Sequence, residues 1–293
     1  MSFSGKVKEE LYAIIEKGRS GQIAELAAIT ALSSRLSHEN GGLCLAFSSD
    51  LEILKKKYFT LLKRTINIDN CGIVLNADDT ARLLAATKLS PKEDPAGALQ
   101  VGGQILQTPV CKQAFLRGAY LCGGETNDPA KSYHFEIAVS DVAFAKRLIE
   151  QIAFFGIDAG LSIRKGKNVV YVKEGAQIVE LLGQMGAHRC LIDFEETRIL
   201  NETRGNVNRR VNCETANINK TVSASVRQID CIRKIEETIG LSALPEGLRE
   251  MAYLRLQYPD EPLADLGDHF DPPVGKSGVN HRLRRIVDIA EKL

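Results

Sequence analysis

The sequence predicts an α+β chain: an α/β unit written twice, then a polar linker, then an all-helical helix-turn-helix domain. Three observations predict it. The order helix, strand, helix, strand, helix runs through 1–90 and again through 91–200. A Ser-Asp junction recurs about 90 residues apart, at Ser49-Asp50 and Ser140-Asp141. The last twenty residues, VGKSGVNHRLRRIVDIAEKL, place apolar side chains at helical spacing beside clustered lysine and arginine.

The first copy reads as a helix over 23–36, a strand GLCLAFSS, a helix from Asp50, a strand CGIVLNA and a helix DTARLLAAT. The second reads as a helix over 111–125, a strand YHFEIAVS and a helix from Asp141. A ribbon LSIRKGKNVVYVK and a helix AQIVELLGQMG follow. Asp50 and Asp141 sit where a carboxylate caps free amides and meets the positive end of a helix dipole. Between the copies, PKEDPAGALQVGG carries two prolines and three glycines, which argue against a continuous element. Residues 201–220, NETRGNVNRRVNCETANINK, are asparagine-rich and apolar-poor and read as a polar linker. A helix over 221–239 follows, with Gly240 as its left-handed cap. The predicted segments are therefore 1–90, 91–200, 201–240 (linker and connecting helix) and 241–293.

The 293 residues are 44% hydrophobic, enough for two or three cores. The net charge of +1 hides local sorting, with −5 over 244–273 and +3 over 274–293. The N-terminal stretch is charged and amphipathic, unlike a signal peptide, and no apolar run is long enough for a bilayer. Seven cysteines without a CxxC pair fit a reducing cytoplasm and mostly core positions. Paired metal ligands are lacking. The expectation is a cytoplasmic, nucleoid-associated protein without metal, cofactor, membrane contact or small-molecule substrate.

The last segment reads as helices over 244–258, 262–270 and 277–293. Its middle helix buttresses and its last reads DNA. The turn DPPVGK is longer than usual, and its two prolines stiffen it. Ser277 is expected as N-cap of the reading helix and Lys276, just before it, as a phosphate contact. Asn280 and His281 come early enough for base edges, asparagine matching adenine. Arg282 is a further DNA contact, and Arg284 and Arg285 suit phosphates. Secondary contacts are Arg164, Lys165 and Lys167 on the ribbon and Arg209 and Arg210 in the linker. The run Lys55, Lys56, Lys57, Lys63 and Arg64 reads as solvated surface.

The stretches NVNRRVNCETANINK, LPEGLREMAYLRLQYPDEPLADLG and KSGVNHRLRRI strongly resemble the WhiA family of bacterial DNA-binding regulators. The resemblance runs over nearly the whole chain and is most specific over 209–219 and 276–285. It implies two LAGLIDADG repeats of homing-endonuclease type, then a helix-turn-helix similar to region 4 of sigma factors. It also implies ties to sporulation, cell division and chromosome segregation, and double-stranded DNA as partner. A protein co-regulator is a further implied partner, since in actinomycetes the family works alongside an iron–sulfur regulator.

In such nucleases a helix in each repeat ends in a carboxylate that holds metal at the scissile phosphate. Here Ser33 and Gly123 stand at those positions, and neither side chain replaces a carboxylate ligand. Glu125 lies two positions on, with Arg35 as its counterpart. Ala27, Ala28, Gly118 and Gly123 instead suit close packing of two helices. The reading is a non-catalytic, sequence-specific DNA-binding regulator. The alternatives are an active endonuclease or maturase, or a partner-recruiting scaffold with secondary DNA binding.

Overall fold

In a computed structural model, residues 2–39, 42–69, 72–92 and 97–293 are described. After α1 (Phe3–Ala13) the first repeat runs α2 (Arg19–Ser33), β1 (Ser34–Glu39), β2 (Gly42–Phe47), α3 (Glu52–Ile66), β3 (Val74–Leu75) and α4 (Ala77–Thr87). A hairpin of β4 (Leu89–Pro91) and β5 (Leu99–Val101) follows. The second repeat runs α5 (Pro109–Gly123), β6 (Gly124–Thr126), β7 (Phe135–Val139), α6 (Val142–Ala153), β8 (Gly160–Arg164), β9 (Lys167–Val172) and α7 (Gly175–Met185). The sheets are antiparallel, β1-β2-β3 in the first repeat and β6-β7-β9-β8 in the second. Each repeat holds a strand that the sequence reading lacked. β1 and β6 continue directly from the motif helices, β1 at Ser33-Ser34 and β6 at Gly123-Gly124, a glycine pair that the expected helix over 111–125 ran through.

The motif helices α2 and α5 pack on each other as Ala28 and Gly118 predict, whereas Gly123, expected in the same seam, packs against Ala138 of β7. A Cβ built on Gly118 would lie 2.7 Å from the Glu25 carbonyl oxygen and 3.1 Å from the Ala28 Cβ. Ala27 and Ala28 are fully buried. Around this seam lies one apolar core, with Leu26 and Ile29 of α2, Phe115 and Leu116 of α5, and Phe135 and Val170 of the second sheet.

The seam also buries charge. Glu25 and Lys57 are 0% exposed and Arg117 is 2% exposed. Arg117 grips Glu25 with two nitrogens, Nε to Oε1 at 3.1 Å and Nη2 to Oε2 at 3.2 Å. Lys57 Nζ lies 3.1 Å from Glu25 Oε1 and donates to the carbonyls of Tyr12 and Ile14. Arg117 also meets Glu16 at 2.9 Å and the Met185 carbonyl at 3.2 Å. Two carboxylates and two cations balance, which is how buried charge is tolerated. Burial still lowers the Lys57 ammonium from its ordinary value against the pull of Glu25. The expectation of a solvated lysine run fails at Lys57. The α3 helix turns that side chain inward, and a run of like residues on a helix cannot share one face.

Residues 201–220 correct the linker expectation. They are helical, within α8 (His188–Thr238). Polarity alone does not end a helix, and no proline occurs from 130 to 244. The pairs Arg198–Glu195, Arg198–Glu202 and Arg210–Glu214 support the exposed stretch at helical spacing. The chain divides into compact units Met1–Glu202 and Thr203–Leu293.

Smaller differences follow. The segment between the copies holds β5, paired back to β4, so a boundary at 90/91 cuts a hairpin; residues 93–96 lie outside the described ones. Asp141 caps α6 as expected, accepting from Ala143 and Phe144. Asp50 does not cap α3, whose N-cap is Leu51 without a side-chain bond. Gly240 has a positive φ of 77° but a ψ of 144°, outside the left-handed helical cap. Cys44, Cys111 and Cys190 are buried, while Cys213 is exposed on α8, and Cys71 lies outside the described residues.

Candidate nucleic-acid interface

The second unit is built on α9 (Glu246–Gln257), α10 (Leu263–Asp268) and α11 (Lys276–Ala290), packed with the end of α8. Val279, Leu283, Ile286 and Ala290 form the buried stripe of α11. They meet Ile232 and Ile235 of α8, Met251 and Ala252 of α9, and Leu266 of α10. Lys234 Nζ donates to the Ala290 carbonyl at 2.9 Å, satisfying an orphan group at the end of α11. The α10–α11 turn folds back so closely that a Cβ on Gly267 would lie 1.9 Å from the Val274 carbonyl oxygen. The Val274 amide donates to the Gly267 carbonyl at 2.9 Å. That contact, with the prolines, fixes a turn longer than the usual three or four residues.

The reading helix starts one residue earlier than expected. Its N-cap is Gly275, which offers no side-chain bond, so Lys276 and Ser277 are its first two residues. Ser277 is therefore not the cap. Glycine is an acceptable N-cap because its backbone reaches the extended conformation freely.

Ser277, His281 and Arg284 are exposed and follow one another at four and three residues, so they form the outward stripe opposite the buried one. Arg285 is exposed on one shoulder. Lys276 and the half-buried Asn280 lie together on the other, against a cavity shared with α8 and α10. Arg282 is half-buried, its guanidinium 4.5 Å from the centre of the Phe270 ring and beside Gly247. The structure thus brings five of the seven predicted residues to the exposed surface of α11, leaves Asn280 half-buried at the cavity and folds Arg282 against the turn. Sequence reading missed Lys220 and Arg255, which line the same cavity. A signal existed for Arg255: it continues the apolar register of Leu248, Met251 and Ala252, where an arginine is out of place.

The secondary candidates are more mixed. β8 and β9 form a hairpin with Lys165 and Gly166 at its turn, both at positive φ. Lys165 and Lys167 are exposed, but Arg164 meets Glu136 at 3.0 Å. Arg209 and Arg210 are exposed on α8, bonded to Asn206 and Glu214.

The ends of the motif helices are closed at Ser33 and Gly123, where the resemblance leads one to expect an acid. Ser33 Oγ donates to Cys122 Sγ at 3.4 Å. A Cβ on Gly123 would lie 2.4 Å from the Ala138 carbonyl oxygen, so β7 occupies the space an acid would need. Glu125 is exposed and stands opposite Glu136 in the β6–β7 register. Among the described residues no group of three or more histidine, cysteine, aspartate or glutamate side chains could hold a metal ion. No helix there is long and apolar enough to cross a membrane.

Two family models match the chain, the WhiA LAGLIDADG-like domain over residues 112–204 and the WhiA C-terminal HTH domain over 207–290. A protein of Lachnoclostridium phytofermentans named "Probable cell division protein WhiA" is 43% identical, covering 100% of this chain and 99% of its own length. One of the same name from Clostridium beijerinckii is 40% identical, with the same coverage. The crystal structure of full-length DUF199/WhiA from Thermatoga maritima covers 100% of this chain and 99% of its own at 25% identity, with a TM-score of 0.53.

Proposed function

The chain belongs to the WhiA family, and we propose that it is a non-catalytic, sequence-specific DNA-binding protein that regulates transcription. By the names of two relatives the regulated process is cell division; chromosome segregation and sporulation are the further settings that the family resemblance implies. One observation carries the reading. The outward face of α11 presents Ser277, His281, Arg284 and Arg285, with no acid before Asp288, on a helix held from behind by a helix-turn-helix core. Such a face enters the major groove. His281 stands near the start of the helix and reaches for base edges, while Arg284 and Arg285 suit phosphates. Arg282, stacked on Phe270, steadies the turn and acts on DNA through it. Lys165 and Lys167 of the ribbon and Arg209 and Arg210 of α8 add affinity without reading sequence. The non-catalytic part of the reading is supported by the steric closure at Gly123.

The test is duplex binding by the full chain at several salt concentrations, against excess nonspecific competitor. Arg284→Ala should weaken binding to all sequences alike and lower the salt slope by about 0.9. His281→Ala should cost about 1–3 kcal/mol on the preferred site and relax its specificity. Folded variants that bind like the wild type would remove α11 as the reader. Magnesium-dependent cleavage of the bound duplex would overturn the non-catalytic reading.

A further inference from the structure

Within the Thr203–Leu293 unit a cavity of about 300 Å³ opens between α8, the start of α10 and the first turns of α11. Its lining carries three cations, Lys220, Arg255 and Lys276, and no carboxylate. Arg255 is only 2% exposed. Its Nη1 donates to the carbonyls of Pro259 and Glu261, at 3.3 and 2.9 Å, but its Nε is buried without a partner. The nearby Glu261 carboxylate is turned to His269 instead, at 2.9 Å. Burial lowers the Arg255 guanidinium from its ordinary value, and Glu261 offsets this only in part.

A buried arginine with no carboxylate bonded to it is costly and rare. The contrast with Arg117, equally buried but held by Glu25 and Glu16, shows how this chain treats a cation that is only structural. Around Arg255 the cavity supplies what an anion needs. Lys220 and Lys276 are exposed and contribute charge, and the Asn280 amide contributes a donor. The α11 N-terminus, capped by no side chain, adds its dipole. A planar guanidinium with spare donors suits carboxylate and phosphate oxyanions alike, and three cations with no carboxylate in the lining favour the more highly charged phosphoryl group.

We infer that this cavity is a phosphoryl-anion site, filled either by a backbone phosphate of a bound duplex or by a free phosphorylated small molecule. The chemistry stands whether or not the chain reads DNA.

The experiment uses the full chain, with Lys220→Gln and Arg255→Gln as variants. Lys220 is exposed, so its variant should fold even if Arg255→Gln, which also releases two carbonyls, does not. Inorganic pyrophosphate is the first probe, followed by thermal melting and calorimetry. Duplex affinity against salt is the second. A free-ligand site predicts that pyrophosphate raises the wild-type Tm, that Lys220→Gln weakens its binding about tenfold, and that the duplex salt slope is unchanged. A duplex-phosphate site predicts that Lys220→Gln lowers the salt slope by about 0.9, the loss of one contact, with no stabilisation by pyrophosphate. If neither pyrophosphate binding nor the salt slope responds to Lys220→Gln, the inference is overturned. Should the wild type bind no duplex at all, the proposed DNA reading fails and the pyrophosphate result alone decides this site.

Discussion

The two repeats agree on the inside and differ at the edges. Both present a small-residue helix to the seam, and both send a strand directly out of it. Away from the seam they part. Among the described residues, the second repeat has a full β8–β9 hairpin where the first has the short strand Val74–Leu75. Its sheet-to-helix junction is capped by Asp141, whereas Asp50 caps nothing. Even the seam is not symmetric in charge. The acid Glu25 comes from the first copy and the base Arg117 from the second, and they do not sit at matching positions of the repeat. Packing between duplicated helices constrains what they share, because backbone approach leaves no slack. Caps and edge strands contribute about 1 kcal/mol each or less, so they drift. A charge pair shared between the copies then fixes one of the two ways the copies could be told apart.

The largest test breaks that pair. Glu25→Ala leaves Arg117 and Lys57 buried without their shared carboxylate and should destabilise the N-terminal unit by about 3–5 kcal/mol in urea unfolding. A loss below about 1 kcal/mol would mean that apolar packing alone holds the seam, with the ions as passengers. Next in size is placing an acid at each of the two motif-helix ends. Gly123→Asp forces a side chain onto the Ala138 carbonyl and should cost about 1–3 kcal/mol or more. Ser33→Asp replaces a half-buried hydroxyl that only meets Cys122 and should cost about 1 kcal/mol. Equal costs would show that the two motif ends are alike after all, against the asymmetry in the structure.

How much of this was legible in the sequence follows the same division. Periodicity found the motif helices, the ribbon and the three last helices, because apolar spacing reports which face is buried. The small residues of the seam pointed to close approach, and Gly118 shows it. What stayed hidden depends on contacts distant in sequence. Lys57 looked like one lysine in a solvated run until the fold brought Glu25 to it. The polar text of 201–220 looked like a linker, since an exposed helix needs no apolar stripe to be a helix. On the candidate interface, the basic cluster of α11 was legible. The burial of one of its arginines against Phe270 was not, nor was the cavity that joins Lys276 and Asn280 to Lys220 and Arg255.

The smallest test concerns the paired junctions, where sequence gave the repeats identical Ser-Asp text. Asp141 accepts from two helix amides, at 3.2 and 3.1 Å, and from Lys92 at 2.6 Å. Burial works against its charge, but the Lys92 and amide bonds outweigh it and hold the carboxyl below its ordinary 3.8. A depressed folded-state value means that the stabilisation is complete above 3.8 and is lost as pH falls through the lower, folded value. Asp141→Ala should therefore cost about 1 kcal/mol at neutral pH. The deficit should shrink on acidification below 3.8, because the wild type then loses the same bonds. Asp50→Ala, with no amide to release, should stay within about 0.5 kcal/mol of wild type at every pH. If the two substitutions cost the same, the junctions are equivalent in solution and the repeats differ less at their edges than their structures do. If only Asp141 matters, and only above its titration, then one of two identical dipeptides has kept its capping role because its helix begins one residue after the aspartate rather than two.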